Sequence, residues 1–281
     1  MRLVSFLHQG RPACGLVQGD AILVAPPSAY ADLKAVIEAD AVAAFARLCE
    51  GSGQRVALEG TTLLPVIPNP GKILCIGLNY ETHRRETGRD VVENPTIFTR
   101  FADSQAAHGQ PLLRPKVSTD FDFEGELAVV IGKGGRYIPR DRAMEHVAGY
   151  SCYNDGSVRD WQRHTHQFTP GKNFPQTGAF GPFLVTADEV KDLDLLRLTT
   201  RVNGAVVQDT TLDHMIFDVP RIIEYCSSFT PLNPGDVIAT GTPGGVGAKR
   251  QPPLWLKPGD SVEVEITGIG LLRNGIADEA A

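Results

Sequence analysis

The stretch DFEGELAVVIG, residues 122–132, predicts a buried strand with two acidic residues at its entrance. Five consecutive apolar residues, Leu127 to Ile131, are typical of such a strand. Glu124 and Glu126 are two positions apart, so in an extended chain their side chains point to the same face. Two adjacent carboxylates at the mouth of a core raise each other's pKa and are costly to desolvate, so their placement needs a physical reason.

A third carboxylate provides one possible reason. Asp155 follows the apolar stretch HVAGYSCYN and is predicted to lie at the end of a second strand. If the two strands are neighbours, the three carboxylates form a cluster that is stable near neutral pH chiefly with a divalent cation. All-oxygen ligands with room for water favour Mg²⁺, Mn²⁺ or Ca²⁺ over zinc. The spacing alone favours a simpler interpretation, with solvated glutamates on an edge strand and Asp155 capping a helix from about Gly156.

Three further polar segments are candidates for catalysis or binding. LNYETHRRE places His83 and Glu86 on one face of a short helix, and a histidine held by a carboxylate is a common general base. The alternative is a surface helix with an incidental contact. TPGKNFP places Lys172 in a predicted loop that contains Pro and Gly, where it could face an anionic ligand. ATGTPGGVG, residues 239–247, lacks the lysine and spacing of a phosphate-binding loop, but its N–H groups and a threonine hydroxyl could face a carboxylate.

Composition narrows the class of protein. The 281 residues are 42 % hydrophobic and 21 % charged, with a formal net charge of −6, as in ordinary soluble globular proteins. There is no basic patch, so we expect no nucleic-acid partner. No apolar run is long enough to cross a bilayer and the start does not resemble a secretory signal, so we expect no membrane partner. Five scattered cysteines indicate reduced thiols in a cytoplasmic protein.

The chain divides into two regions by pattern. Residues 1–68 combine short strand-like runs with a helical stretch from Tyr30 to Glu50, which predicts a small α/β N-terminal domain. Residues 69–281 contain many short β-branched runs separated by turn residues. Helices are predicted in this second region at about 80–88, 141–148, 156–164 and 214–227. The pattern predicts an α+β, β-rich fold with a barrel or sandwich, and not a doubly wound sheet.

Seven segments in order resemble the fumarylacetoacetate hydrolase family: KILCIGLNYETHRRE, DFEGELAVVIGK, VAGYSCYNDGSVRDWQ, GPFLVTADEV, RVNGAVVQ, LNPGDVIATGTPGGVG and LKPGDSVEVEITGIGLLRN. The resemblance runs from about residue 70 to the C-terminus, and the leading segment is similar to the N-terminal domain of the longer bacterial members. It implies a mixed β-roll or barrel as the C-terminal domain, and a homodimer.

The resemblance also implies roles for individual residues. The metal ligands are Glu124, Glu126 and Asp155, holding one Mg²⁺ or Mn²⁺ per active site, where a crystal could also contain Ca²⁺. The catalytic residues are His83, Glu86 and Lys172, the first two in a mobile lid that begins at Asn79. The substrate contacts are Tyr80, Arg159, Gln162 and Thr242.

These roles imply a metal-dependent hydrolase that cleaves a carbon–carbon bond in an acylpyruvate, with His83 activating water, in the catabolism of aromatic compounds. Arg100 replaces a lysine of many members and would suit a second substrate carboxylate, which favours maleylpyruvate or fumarylpyruvate. Pro175 stands where many members have an aspartate, so the loop after Lys172 is expected to have a different shape. The same chemistry also serves an oxaloacetate-type decarboxylase or an isomerase. A non-catalytic binding module with a structural metal is the alternative of another class, although it would have no use for a general base.

Overall fold

The computed structural model describes residues 1–280. The strands are β1 Arg2–His8, β2 Arg11–Gln18, β3 Ala21–Val24, β4 Arg55–Ala57, β5 Ile73–Gly77, β6 Thr96–Arg100, β7 Gln105–Ala106, β8 Leu112–Arg114, β9 Phe121–Asp122, β10 Gly125–Ile131, β11 Val147–Asp155, β12 Ser157–Val158, β13 Gly178–Thr186, β14 Arg197–Val202, β15 Ala205–Thr211, β16 Val237–Ala239, β17 Ser261–Ile266 and β18 Gly270–Asp278. The helices are α1 Leu33–Glu38, α2 Val42–Gly51, α3 Glu81–Thr87, α4 Arg159–Gln162, α5 Thr169–Lys172 and α6 Val219–Phe229. Short 3₁₀ turns cover Ala102–Ser104, Arg140–His146, Ala187–Glu189, Leu212–His214 and Gly247–Lys249.

Three sheets organise these elements. The largest follows the order β4-β3-β2-β1-β13-β11-β10-β16-β5-β6, with β7 beside β13. A second sheet has the order β15-β14-β17-β18-β8, and β9 pairs with β12 in a third. In the second sheet β17 alternates as expected for one buried face: Val262 and Val264 are buried, whereas Glu263 and Glu265 are half-exposed. The β-rich α+β class predicted from the sequence is therefore confirmed.

Strand β10 is buried on both faces, which explains its uninterrupted apolar sequence. Leu127 and Val129 belong to a core that includes the apolar side chains of β14 and β17. Ala128 and Val130 belong to a second core that includes residues of α1 and α2. The strand also has a hydrogen-bonded neighbour on each side, β11 and β16, so it lies in the interior of the sheet.

The N-terminal segment shares the largest sheet with the rest of the chain. Strand β1 pairs antiparallel with β13, with Arg2 opposite Val185 and Leu3 opposite Leu184. Helices α1 and α2 cover part of the same core as β10 and β13. A domain boundary near residue 68 stays a prediction, and the last residue of the predicted second domain, 281, lies outside the described residues.

Three predicted helices differ from the structure in length or type. The predicted 214–227 helix begins later, at Val219, because Asp218 caps it by accepting the Arg221 N–H and Pro220 fits only in a first turn. The predicted 156–164 helix is shortened by β12 to one turn, and 141–148 is mostly the 3₁₀ turn Arg140–His146. The loop predicted around Lys172 is a one-turn helix, α5, with Pro170 in its first turn.

Two expectations from composition concern membranes and thiols. Among residues 1–280, no helix has the length and apolar character needed to span a bilayer. All five cysteines are free and buried. Burial raises the pKa of the Cys14 and Cys152 thiols to about 12, so both are protonated near neutral pH.

Candidate active site

The antiparallel pair β10 and β11 brings the three predicted metal ligands together. Glu126 lies opposite Tyr153, and the Asp155 N–H donates to the Glu124 carbonyl oxygen at 2.8 Å. One carboxylate oxygen from each of Glu124, Glu126 and Asp155 lies within 4.8 Å of the others, and all three residues are buried. The simpler interpretation was wrong, because β10 is not an edge strand and Asp155 is followed by β12 and not by a helix.

Two of the three carboxylates have cationic partners. The Lys172 ammonium lies 2.6 Å from Glu124 Oε2 and 2.7 Å from Asp155 Oδ2, and Arg159 Nη1 lies 2.7 Å from Glu124 Oε1. Burial alone would raise the pKa of Glu124, but Lys172 and Arg159 outweigh it and lower the pKa to about 2. Burial would lower the pKa of Lys172, but Asp155 and Glu124 outweigh it and raise the pKa. Glu124 and Lys172 are therefore both ionised near neutral pH.

Glu126 is the exception. Among residues 1–280 its side chain makes no ion pair, and it accepts the Gly241 N–H at 2.9 Å. Burial, followed by the negative charges of Asp155 and Glu124, raises its pKa well above the ordinary value. A buried carboxylate beside two others requires a cation or a proton. The three oxygen donors therefore fit Mg²⁺ or Mn²⁺, the hard ions that prefer carboxylate ligands.

Arg100 supports the cluster from behind. Its guanidinium is fully buried and donates to Asp155 Oδ1 at 2.6 Å, to the Gly156 carbonyl oxygen at 2.9 Å and to Thr177 Oγ1 at 2.8 Å. It does not line the cavity described below. The geometry thus gives Arg100 contact with Asp155, and the predicted contact with a second substrate carboxylate has no support from it.

The predicted histidine–glutamate pair is formed on α3. His83 Nδ1 lies 2.7 Å from Glu86 Oε1, and Glu86 Oε2 accepts the Gly245 N–H at 2.8 Å. Because Nδ1 is occupied by Glu86, Nε2 is the ring nitrogen left to exchange a proton. His83 is buried and lines the same cavity as Glu124 and Glu126.

The Gly-rich segment 239–247 binds both this helix and the Glu126 carboxylate. Its N–H groups at Gly241 and Gly245 donate to Glu126 and Glu86, and the Gly244 N–H donates to Thr82 Oγ1 at 3.0 Å. Gly245 has φ +103°, and a β-carbon there would lie 2.3 Å from the Val207 carbonyl oxygen, so only glycine fits. The N–H groups of this segment do face carboxylates, as the sequence suggested. These carboxylates are the side chains of Glu126 and Glu86 and not part of a ligand.

Asn79 fixes the chain just before α3. Its side-chain amide donates to the carbonyl oxygens of Phe217 and Thr240 at 3.0 and 2.7 Å and accepts the Phe217 N–H at 2.7 Å. Tyr80 follows it and is fully buried, and its hydroxyl makes no hydrogen bond within residues 1–280. Tyr80 is absent from the cavity wall, so its predicted substrate contact also has no support from the geometry.

Arg159 and Thr242 both line the cavity. Arg159 is positioned by the β9–β12 pair, which sets Nε 2.7 Å from Asp122 Oδ2, and its Nη1 donates to Gln162 at 2.9 Å. Its Nη2 is buried without a hydrogen-bond partner in the described chain. Thr242 donates to the Gly125 carbonyl oxygen at 3.0 Å. A buried guanidinium nitrogen without an acceptor at a cavity wall is suited to an anionic ligand.

The cavity has a volume of about 140 Å³. Seven predicted site residues line it: His83, Glu124, Glu126, Arg159, Gln162, Lys172 and Thr242. Glu86 and Asp155 lie behind the wall and act through their contacts. Sequence reasoning missed three cationic residues of the wall: Arg89, Arg163 and Lys249. They carry no motif and stand in polar loops, so no sequence signal distinguished them from surface charges.

Comparison with known proteins identifies the family. The fumarylacetoacetate (FAA) hydrolase C-terminal family matches residues 72–277. The oxaloacetate tautomerase FAHD2A, mitochondrial, of Bos taurus is 39 % identical over 293 residues, which cover 98 % of this chain and 91 % of that protein. The fumarylacetoacetate hydrolase of Exiguobacterium antarcticum is 33 % identical, with a TM-score of 0.89, and covers 99 % of this chain and 100 % of its own.

A second solved structure is informative about the site. Maleylpyruvate hydrolase from Sphingobium sp. SYK-6, in complex with manganese(II) ion and pyruvate, is 26 % identical with a TM-score of 0.82, over 100 % of both chains. The resemblance found in the sequence is thereby confirmed. This chain belongs to the fumarylacetoacetate hydrolase family.

Proposed function

We propose that the protein is a metal-dependent enzyme that interconverts the keto and enol forms of an oxaloacetate-type 2-oxo acid. The observation that carries the proposal is the buried, unpaired Glu126 beside two further carboxylates, in a cavity that His83 also lines. The similarity to an oxaloacetate tautomerase over 98 % of the chain supports this chemistry. The isomerase alternative thus becomes the main proposal, ahead of the hydrolase expected from the sequence.

Glu124, Glu126 and Asp155 would hold Mg²⁺ or Mn²⁺. When bound, the ion would polarise the 2-oxo group and stabilise negative charge on its oxygen. The manganese in the Sphingobium structure supports a divalent ion of this kind. Arg100 and Lys172 hold Asp155 by its two oxygens, which fixes that carboxylate before any ion binds.

His83 is proposed to move the proton. Its Nε2 accepts a proton from the carbon next to the 2-oxo group, the electron pair of the broken C–H bond forms the carbon–carbon double bond, and the π pair of the carbonyl group moves to its oxygen. Lys172 compensates the negative charge on that oxygen, and transfer of the proton from His83 Nε2 to the oxygen completes the enol. Glu86, held by Gly245, keeps the imidazole oriented and stabilises its protonated form. No carbon–carbon bond breaks and the base ends in its starting protonation state, so the same groups catalyse the reverse reaction.

Arg159 and Gln162 are proposed to bind the carboxylate adjacent to the 2-oxo group. The unpartnered Nη2 of Arg159 provides a donor at the cavity wall, and Gln162 accepts from Nη1 of the same guanidinium. The Asp122 carboxylate fixes Nε, so the arginine is oriented before a ligand arrives.

Acylpyruvate hydrolysis is the second candidate, and the Sphingobium maleylpyruvate hydrolase with its bound pyruvate favours it. In that reaction His83 would activate a water molecule, and carbon–carbon cleavage would release pyruvate. A role in the catabolism of aromatic compounds depends on this candidate. The homodimer and the cytoplasmic location stay predictions, and the Bos taurus relative is named as mitochondrial.

The test follows the decay of enol-oxaloacetate by its ultraviolet absorbance, with added Mg²⁺ or Mn²⁺ and separately with a chelator. We expect decay to the keto form that depends on the metal, with neither pyruvate nor carbon dioxide released. Carbon dioxide release from oxaloacetate would favour the decarboxylase, and pyruvate release from maleylpyruvate or fumarylpyruvate would favour the hydrolase. No turnover of any of these compounds by the metal-loaded protein would favour the non-catalytic binding module.

A further inference from the structure

We propose that Arg89, Arg163 and Lys249, here called the cationic rim, form a subsite for the distal carboxylate of a dicarboxylic 2-oxo acid. The inference rests on the proposed function for the identity of the head group. It adds the residues that recognise the second carboxylate of the substrate.

Three separate elements place the cationic rim on one cavity. Arg89 follows helix α3, Arg163 follows helix α4, and Lys249 ends the 3₁₀ turn Gly247–Lys249. All three line the cavity that also contains His83 and Glu126. Each residue is exposed, so the rim lies at the solvent side of the cavity, with the carboxylate cluster at its buried side.

The rim cations differ from the inner cations in having no partners. Within residues 1–280 no ion pair or side-chain hydrogen bond involves the side chain of Arg89, Arg163 or Lys249. In contrast, Lys172 and Arg159 are each in contact with two carboxylates. The acidic residues on the cavity wall are Glu124 and Glu126, both at the buried side. The mouth therefore carries positive charge that the protein does not neutralise.

The cavity consequently offers two positions for anionic groups. The inner one is the unpartnered Nη2 of Arg159, and the outer one is the cationic rim. A single exposed ion pair is weak in water, but several like charges around a cleft attract a counter-charge more strongly. A ligand with carboxylates at both ends satisfies both positions. A monocarboxylic 2-oxo acid leaves the rim without a partner.

The test compares two ligands of four carbons that differ only at the tail. Oxaloacetate ends in a carboxylate and 2-oxobutanoate ends in a methyl group. Affinities are measured by calorimetry with Mg²⁺-loaded protein that carries His83→Ala, so that catalysed keto–enol interconversion adds no heat to the binding signal. The rim variant adds Arg89→Ala, Arg163→Ala and Lys249→Ala. A matched control variant adds Arg11→Ala, Arg47→Ala and Lys257→Ala, which removes the same charge from exposed positions outside the cavity.

We expect the rim variant to bind oxaloacetate about tenfold more weakly and 2-oxobutanoate within about twofold of the parent. The control variant should bind both ligands like the parent. An unchanged affinity for oxaloacetate, or an equal loss for both ligands, would overturn the proposal. Failure of the keto–enol assay would remove the proposed function alone, because this binding difference does not depend on turnover.

Discussion

The two sides of the cavity are built in opposite ways. On the buried side, carboxylates and cations lie on or beside neighbouring strands and contact one another at 2.6–2.7 Å. On the solvent side, the helix α3 and the cationic rim belong to short elements and loops. The difference indicates that the buried side is suited to hold a metal ion in a fixed position, whereas the residues of the cationic rim can vary without disturbing the sheet. Metal binding and recognition of the substrate tail are therefore expected to be separable in this molecule.

The largest effect is expected from Glu126→Gln. A neutral amide in place of the unpaired carboxylate should lower Mg²⁺ affinity by about 100-fold or more, because one of three charged ligands is lost. The metal-free variant should be more stable than the parent by about 1–4 kcal/mol, because the buried carboxyl of the parent must take up a proton or stay charged without a partner, and the amide does neither. Thermal unfolding with and without Mg²⁺ measures both effects, and a less stable metal-free variant would contradict the account of Glu126.

The difference in stability between the metal-free Glu126→Gln variant and the parent should depend on pH. The pKa of Glu126 is raised in the folded state, so its carboxyl destabilises the metal-free fold increasingly as pH rises above the unfolded value, about 4. Below about pH 4 both states are protonated, and the advantage of Glu126→Gln should vanish. If the stability advantage of Glu126→Gln is the same from about pH 3 to about pH 8, the ionisation of Glu126 is not its cause.

The second effect concerns the solvent side. His83→Ala should lower kcat for enol-oxaloacetate about 10²–10⁴-fold, because it removes the proposed base. Affinity for Mg²⁺ should remain within about twofold, because His83 lies outside the carboxylate set. Steady-state kinetics measures kcat, and a metal titration measures the affinity for Mg²⁺. A parallel loss of Mg²⁺ affinity would show that the two sides of the cavity are not independent.

The third effect concerns the support behind the metal site. Arg100→Met leaves Asp155 without its guanidinium partner in a fully buried position and should destabilise the protein by about 3–5 kcal/mol. Arg100→Lys keeps the charge and should recover part of that loss. Chemical denaturation measures both variants. Equal stability of Arg100→Met and the parent would show that Asp155 does not depend on this pair.

The smallest effect is expected at the contact between α3 and the Gly-rich segment. Thr82→Ala removes the acceptor of the Gly244 N–H and should cost about 0.5–1.5 kcal/mol, with no change in Mg²⁺ affinity. Thr61→Ala, which removes a hydroxyl that donates to a backbone carbonyl oxygen outside this cavity, is the matched control for both measurements. A change in Mg²⁺ affinity for Thr82→Ala would show that the two sides of the cavity are not independent.

The same contrast explains what the sequence could predict. The burial of β10 and the common face of Glu124 and Glu126 followed from a long apolar run and a spacing of two, because strand periodicity fixes the direction of side chains. The grouping of this pair with Asp155 came from the resemblance to the family, since the spacing alone favoured solvated glutamates on an edge strand. The pair of His83 and Glu86 followed from a spacing of three. These signals are local, so one sequence is enough to detect them.

Contacts between distant segments could not be predicted in this way. Arg100 reaches Asp155 and Gly245 reaches Glu86 across 55 and 159 positions of sequence, and no local pattern encodes such distances. The expectation that Arg100 contacts the substrate has no support for the same reason. Its burial is set by neighbours on other strands, which no local pattern encodes. The cationic rim was missed because its members come from three unrelated loops.

The role of His83 as the base is tested most directly by proton exchange at C3 of oxaloacetate, followed by nuclear magnetic resonance in deuterated water. We expect Mg²⁺-dependent exchange by the native protein at a rate far above the uncatalysed one. We also expect His83→Ala, at the same metal occupancy, to abolish most of this exchange, with no pyruvate formed in either case. Exchange that persists in His83→Ala, or pyruvate formed without exchange, would contradict it.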